Sequence, residues 1–337
     1  MKLYELQSAV GLDSWTMVER DTPRPGRGQV LVRIHSVSLN YRDIMVARGG
    51  YAFGTPPANL VPLSDGAGEV VEVGADVGRV QPGDRVAGIF VQSWFGGAQP
   101  ADARDQALGG TLHGVLAEYR VFDQDGLVKV PDHLSFDEAA TLPCAAVTAW
   151  NALYGLRSLQ SGQTVLTLGT GGVATFATQF AHAAGARVIV TSSSDAKLEK
   201  ARAIGASDAI NYATHPDWDR EVRALTEGRG VDAVIEVGGT GTLLRSIRST
   251  APGGVINLIG RLSGAASIDP MAILSASCVV RGVYVGSREL FEAMNRAIRF
   301  HRIHPVIDRV FDFAHAREAL ATLNSGSHVG KIVIRIT

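Results

Sequence analysis

Four residues, Gly169-Thr170-Gly171-Gly172, separate the β-branched run Thr164–Leu168 from a stretch of small, helix-compatible residues that begins at Val173. A strand that stops on glycines at the mouth of a helix aims unpaired backbone N–H groups and the positive end of the helix dipole at one point. A diphosphate fits there. The pattern predicts a dinucleotide held by Gly169, Gly171, Gly172 and Val173, with Ala174 in the place of a third glycine.

The second strand, Arg187 to Thr191, runs into Thr191-Ser192-Ser193-Ser194. An NAD site needs a carboxylate here to accept from the adenosine ribose 2′-hydroxyl. Hydroxyls stand there instead, followed by Lys197. Ser192, Ser193 and Lys197 therefore suit a 2′-phosphate, and the expected cofactor is NADP(H). Asp195 reads as a helix-start residue, with a reach back to the ribose as the competing use.

These residues must be positioned by alternating elements. After the helix from Gly172 come the strand Arg187 to Thr191, a helix from Asp195 to Ile204, and a strand from Asp208 to Asn211. A helix opened by Pro216, a fourth strand from Asp232 to Val237 and a fifth from Gly254 to Ile259 follow, with a last strand from Val279 to Val285. Such alternation means an α/β fold, a doubly wound Rossmann-type parallel sheet. The first 120 or so residues differ in texture. Valine-rich alternations such as Gln29–Ser36, Gly68–Val73 and Arg85–Phe90, punctuated by Pro25-Gly26 and Pro82-Gly83-Asp84, predict an antiparallel, barrel-like β unit. The expected division is 1–122, 123–287 and 288–337. In the last segment, helices Arg288–His301 and Ala314–Asn324 precede a strand, Lys331–Ile336, that rejoins the β unit.

The formal charge of −1 over 337 residues, without a basic stripe, points to neither nucleic acid nor an anionic membrane surface. No run is long and apolar enough for a membrane span. Cys144 and Cys278 are too few for a disulfide framework, which suits a reducing, cytoplasmic compartment.

The runs PLSDGAGEVVEVGADVGRVQPGDRVAG, TLPCAAVTAW and TVLTLGTGGVATFATQFAHAAGARVIVT resemble the medium-chain dehydrogenase/reductase superfamily, most of all its zinc-free quinone oxidoreductase branch. The resemblance implies a GroES-like catalytic domain built from both chain ends, a Rossmann domain between them in sequence, and an active site where the two meet. Zinc-dependent relatives supply a cysteine, a histidine followed by glutamate, and a second cysteine, as tetrahedral zinc requires. Matched by position, these fall on Asn40, Ser64-Asp65 and Cys144. One thiol, an amide and a hydroxyl make no zinc site, so no metal is expected. Cys144 then reads as a packing residue. His113, in the loop GGTLHGV, is a candidate replacement ligand.

The resemblance also implies site residues. Tyr51, after Gly49-Gly50, matches the tyrosine that zinc-free enoyl reductases use as an acid, and reads equally as an aromatic lid. Asn40 could donate to a substrate carbonyl or orient the nicotinamide ribose. Tyr41 and Arg42 are pocket candidates, with an Arg42–Asp43 ion pair as the alternative. Thr148 matches a threonine near the nicotinamide, and Tyr212 a tyrosine that flanks the 2′-phosphate. Gly238 and Gly260 end the fourth and fifth strands, where open α/β sheets bind ligands.

The expected function is hydride transfer from NADPH to a quinone or an α,β-unsaturated carbonyl compound, without zinc. Hydride addition to an activated double bond spreads charge into an enolate, which hydrogen-bond donors can stabilise without a Lewis acid. An alcohol dehydrogenase and a cofactor-binding, non-catalytic protein are the alternatives. The apolar run Val279–Val285, broken only by Arg281, predicts a sheet edge paired with a second copy in a homodimer.

Overall fold

The computed structural model describes residues 1–7, 11–50, 54–260 and 267–337. The chain forms two compact units, Met1–Val147 with Gly286–Thr337, and Thr148–Val285.

In the unit Thr148–Val285, six parallel strands lie in the order Asp208–Asn211, Arg187–Ser192, Thr164–Leu168, Val231–Glu236, Thr250–Leu258, Val279–Gly282. This is the doubly wound order expected from the alternating elements. The central strand Thr164–Leu168 is buried along its whole length, as a parallel strand covered on both faces must be. Helix Gly172–Ala183 buries Phe176, Ala177, Phe180 and Ala181, a helical spacing that lays one apolar face on the sheet. Strand order reverses between Thr164–Leu168 and Val231–Glu236, so ligand-binding loops gather at their carboxyl ends.

Several boundaries differ from the pattern reading. The helix expected at Pro216 starts at Trp218 behind Asp217, because Trp218 and Val222 are the residues that it buries. The fifth strand begins earlier, at Thr250, and runs through Gly253-Gly254 with a register shift against Val231–Glu236. The last strand stops at Gly282, and farther on Val285 adopts φ +53°, which no extended strand accommodates.

In the other unit, strands are ordered Ile307–Asp312, Lys331–Arg335, Gln29–Ser38, Asp65–Val73, Arg85–Gly88, Leu127–Lys129, and Tyr119–Asp123 also pairs with Gln29–Ser38. All pairs are antiparallel except Ile307–Asp312 with Lys331–Arg335. The C-terminal strand thus joins the N-terminal sheet. The texture change at Phe122 falls inside this sheet: Leu127–Lys129 still pairs with Arg85–Gly88, and the unit continues to Val147. Gly68 permits the crossing of the two long strands, since a Cβ there would lie 2.0 Å from the Arg33 carbonyl oxygen. The register sets Asp65 opposite Ser38, next to Leu39 and Asn40. Helix Ala316–Ser325 closes the core with Ala316, Ala319, Leu320 and Leu323.

Candidate functional site

The nucleotide end is built from the glycine turn outward. Gly169 has φ +77° and its N–H donates to the Thr191 carbonyl at 2.8 Å, which ties the turn to the neighbouring strand. No side chain caps helix Gly172–Ala183; its N-cap is Gly171, and Thr175 N–H to Gly171 O at 2.9 Å is an early rung of the helix. The N–H groups of the first turn therefore point out of the helix end. A Cβ built on Gly169 or Gly171 meets nothing within 4 Å. The turn offers bare backbone to open space, which fits the diphosphate of a dinucleotide.

At the end of the second strand, Ser192 pairs in register with Asn211, and the Tyr212 N–H donates to Ser192 O at 2.9 Å. Ser192 is buried, and Ser193 and Tyr212 are exposed. Asp195 is already engaged: its Oδ1 accepts from Asn211 Nδ2 at 2.7 Å. The structure thus brings Ser192, Ser193 and Tyr212 to one strand end, with Lys197 in the first turn of helix Asp195–Ala203. Thr148 is buried in helix Val147–Tyr154. Gly260 must be glycine, because a Cβ would lie 1.8 Å from the Val237 carbonyl oxygen.

Glu236, which the sequence pattern does not single out, explains Gly238. Its buried Oε1 accepts from the N–H groups of Gly238 (2.8 Å) and Gly239 (3.0 Å) and from Thr242 Oγ1 (2.6 Å), while Oε2 accepts from Ser246 Oγ. The carboxylate sits at the N-terminus of helix Thr240–Ser249. A buried charge at the last position of the strand, after the apolar run Ala233–Ile235, is the signal that marks it.

In the other unit, Asn40, Ser64, Asp65 and Cys144 converge on Lys331. The Lys331 ammonium donates to Leu39 O and Asn40 Oδ1, both at 2.6 Å, and lies 3.8 Å from Asp65 Oδ2. Asp65 also accepts from Ser64 Oγ at 2.6 Å and from the Cys144 N–H at 3.1 Å. Burial pushes the Asp65 pKa up, against the pull of Lys331 and the Ser64 hydroxyl. Burial first, and Asp65 second, push the Cys144 thiol well above its usual range. Asn40 opens helix Tyr41–Ala47, and its N–H donates to Asp43 Oδ2 at 2.7 Å. Asp43 is driven by burial to about 6, with Arg42, 3.7 Å from its Oδ1, acting against that rise. Arg42 donates to Leu108 O at 2.8 Å and lies over the Phe90 ring. Tyr41 is exposed. Tyr51 lies outside the described residues.

The donor set at the metal-ligand positions of zinc relatives, an amide, a hydroxyl and a single thiol, does not fit a zinc ion. His113 accepts from the Val61 N–H through Nδ1 at 3.2 Å, and burial lowers its pKa. Among the described residues no group of three or more His, Cys, Asp or Glu is placed to hold a metal. None of the described helices is long and apolar enough to cross a membrane.

Comparison with known proteins agrees with this architecture. Residues 26–132 match the alcohol dehydrogenase GroES-like domain model and residues 172–300 the zinc-binding dehydrogenase model. A zinc-type alcohol dehydrogenase-like protein of Schizosaccharomyces pombe is 44% identical, covering 97% of this chain and 96% of its own. A quinone oxidoreductase-like protein 2 homolog of Nematostella vectensis is 31% identical over 93% of this chain and 83% of its own. A crystal structure of an alcohol dehydrogenase candidate from Sinorhizobium meliloti superposes with a TM-score of 0.92 at 40% identity, covering 99% of each chain. The chain belongs to the medium-chain dehydrogenase/reductase superfamily of oxidoreductases.

Proposed function

We propose that this oxidoreductase is a zinc-independent reductase that uses NADPH to reduce quinones and α,β-unsaturated carbonyl compounds. The observation that carries the reading is the Asn40, Ser64, Asp65, Cys144 and Lys331 cluster, whose donors are hydrogen-bonded to one another and unsuited to zinc. Without a Lewis acid the alkoxide chemistry of simple alcohols loses its usual stabilisation, whereas an enolate needs only hydrogen-bond donors and a proton. When bound, the reduced nicotinamide supplies the hydride.

The protein's own residues bind, orient and donate. Gly169, Gly171, Gly172 and Val173 hold the diphosphate, and Ser192, Ser193, Lys197 and Tyr212 hold the 2′-phosphate. Thr148, Gly238 and Gly260 flank the nicotinamide half. Asn40 orients the reacting groups, and Tyr51 delivers the proton. The name of the Schizosaccharomyces pombe relative favours a second reading, alcohol oxidation.

The test is the NADPH oxidation rate across quinones, enones and enoyl thioesters, with NADH run beside it and with metal analysis of the same sample. Turnover of unsaturated carbonyls that chelators leave untouched supports the proposal. Alcohol oxidation that requires stoichiometric zinc overturns it, and a cofactor-binding protein inactive on the whole panel is non-catalytic. We further propose a homodimer through the Val279–Gly282 edge, where Arg281 is drawn inward by Asn257 Oδ1 (2.8 Å) and the Asn151 carbonyl (2.5 Å). Light scattering at a monomer mass would remove it.

A further inference from the structure

Lys331 has no part in the chemistry above, yet its side chain is only 3% exposed and its ammonium reaches Asn40 and Asp65, at two of the matched positions, together with the Leu39 carbonyl. An ammonium carries donors and no acceptor, so the Asn40 atom 2.6 Å away is the amide oxygen. That contact fixes the oxygen end of the carboxamide, while its buried NH2 end faces the Asp65 carboxylate, whose pKa it lowers. We infer that Lys331 is a positioning residue for the reduction: it holds the Asn40 carboxamide with its oxygen turned inward and its NH2 as the donating end. This inference rests on the reading of Asn40 as an orienting donor.

The hold is built from distant parts of the chain. Lys331 opens the C-terminal strand, Leu39 and Asn40 lead into helix Tyr41–Ala47, and Asp65 starts a third element. Asp65 is itself fixed by Ser64 Oγ at 2.6 Å and the Cys144 N–H at 3.1 Å, so the ammonium has a carboxylate held in place beside it. A donor chain from a buried cation through an amide oxygen also polarises the amide, which makes its N–H groups stronger donors. Metal-dependent relatives use this position for a ligand to a cation. Here a cation from the chain itself grips the residue from behind.

Two measurements test the inference. In protein labelled with 15N-asparagine, the Asn40 side-chain NH2 signal is assigned by its absence in Asn40→Ser. Lys331→Met should move or broaden that signal as the amide becomes free to flip, and Lys331→Arg should bring it back towards the wild-type position. An unmoved signal in Lys331→Met overturns the inference. On turnover, Lys331→Met should lower kcat by roughly ten- to a hundredfold with the NADPH KM unchanged, because misplacement near the chemistry has that scale. In the Asn40→Ser background the same change should add almost nothing, since both act through one group. Independent, additive losses overturn the claim. If Lys331→Met does not fold, Lys331→Leu, which likewise lacks a donor, takes its place in both measurements. Failure of the wild type to reduce any quinone or enone removes the functional reading, while the NMR arm still decides where Lys331 holds Asn40.

Discussion

Helix Gly172–Ala183 and helix Thr240–Ser249 follow two adjacent strands of the same sheet, and each begins behind glycines. Their N-termini are treated in opposite ways. The second is filled by the protein's own carboxylate, Glu236, with Gly238, Gly239, Thr242 and Ser246 all donating to it. The first is left without a side-chain cap. A helix end is thus an anion site by construction, and the sequence decides whether that anion is internal or brought by a ligand.

The first helix can be made like the second by a carboxylate of its own. Gly171 has φ −76° and ψ −176°, extended backbone open to any residue, and a Cβ there meets nothing within 4 Å. Gly171→Asp should therefore alter stability by only a few tenths of a kcal/mol, because glycine already serves as a tolerable cap. Nucleotide affinity should fall by roughly a hundredfold or more, since a carboxylate now repels the diphosphate. Fluorescence titration with NADPH beside a thermal melt separates the two effects. The converse change, Glu236→Gln, brings an NH2 among four donors and should cost about 2 kcal/mol of unfolding free energy. Urea unfolding should show it, with the earliest loss of hydrogen-exchange protection in Thr240–Ser249.

The open end was readable from sequence and the filled one was not. Gly169 to Gly172 announce themselves because a strand, a glycine turn and a helix are contiguous, and the boundaries of Arg288–His301 follow equally from local periodicity. The Glu236 acceptor depends on hydroxyls six and ten residues onward, on a helix whose phase the pattern alone does not give. Lys331 is harder still. Its partner Asn40 lies 291 residues away, and only a charge leading the apolar strand KIVIR hints that it is buried. Residues at the ends of strands carry most of the site, while pattern reading is strongest in their middles.

Lys197 sits in the first turn of helix Asp195–Ala203, just beyond Ser192 and Ser193. Lys197→Ala should raise the NADPH KM roughly fivefold, about 1 kcal/mol for one charge-assisted contact, and leave that for NADH almost unchanged. Equal effects on both cofactors would show that no 2′-phosphate is held there.

The smallest effect is expected at the opposite end of the sheet, where Asp232 sits near the start of the strand that Glu236 ends. Burial tends to raise the Asp232 pKa, but Arg229 and the Thr164 N–H, which donates at 2.8 Å, outweigh it and hold the carboxyl below its usual range. A carboxyl lowered in the folded state adds stability above its unfolded pKa of about 4 and loses it as pH falls through the folded value. Because Arg229 is 60% exposed, solvent screening limits the contribution to under about 1 kcal/mol. Asp232→Asn should therefore be slightly less stable than wild type at pH 7, and the gap should close below about pH 4. A gap that persists in acid would mean that the shape of the Thr164 contact, rather than the ionised carboxylate, stabilises this end of the sheet. Charge would then matter only at the carboxyl ends of these strands.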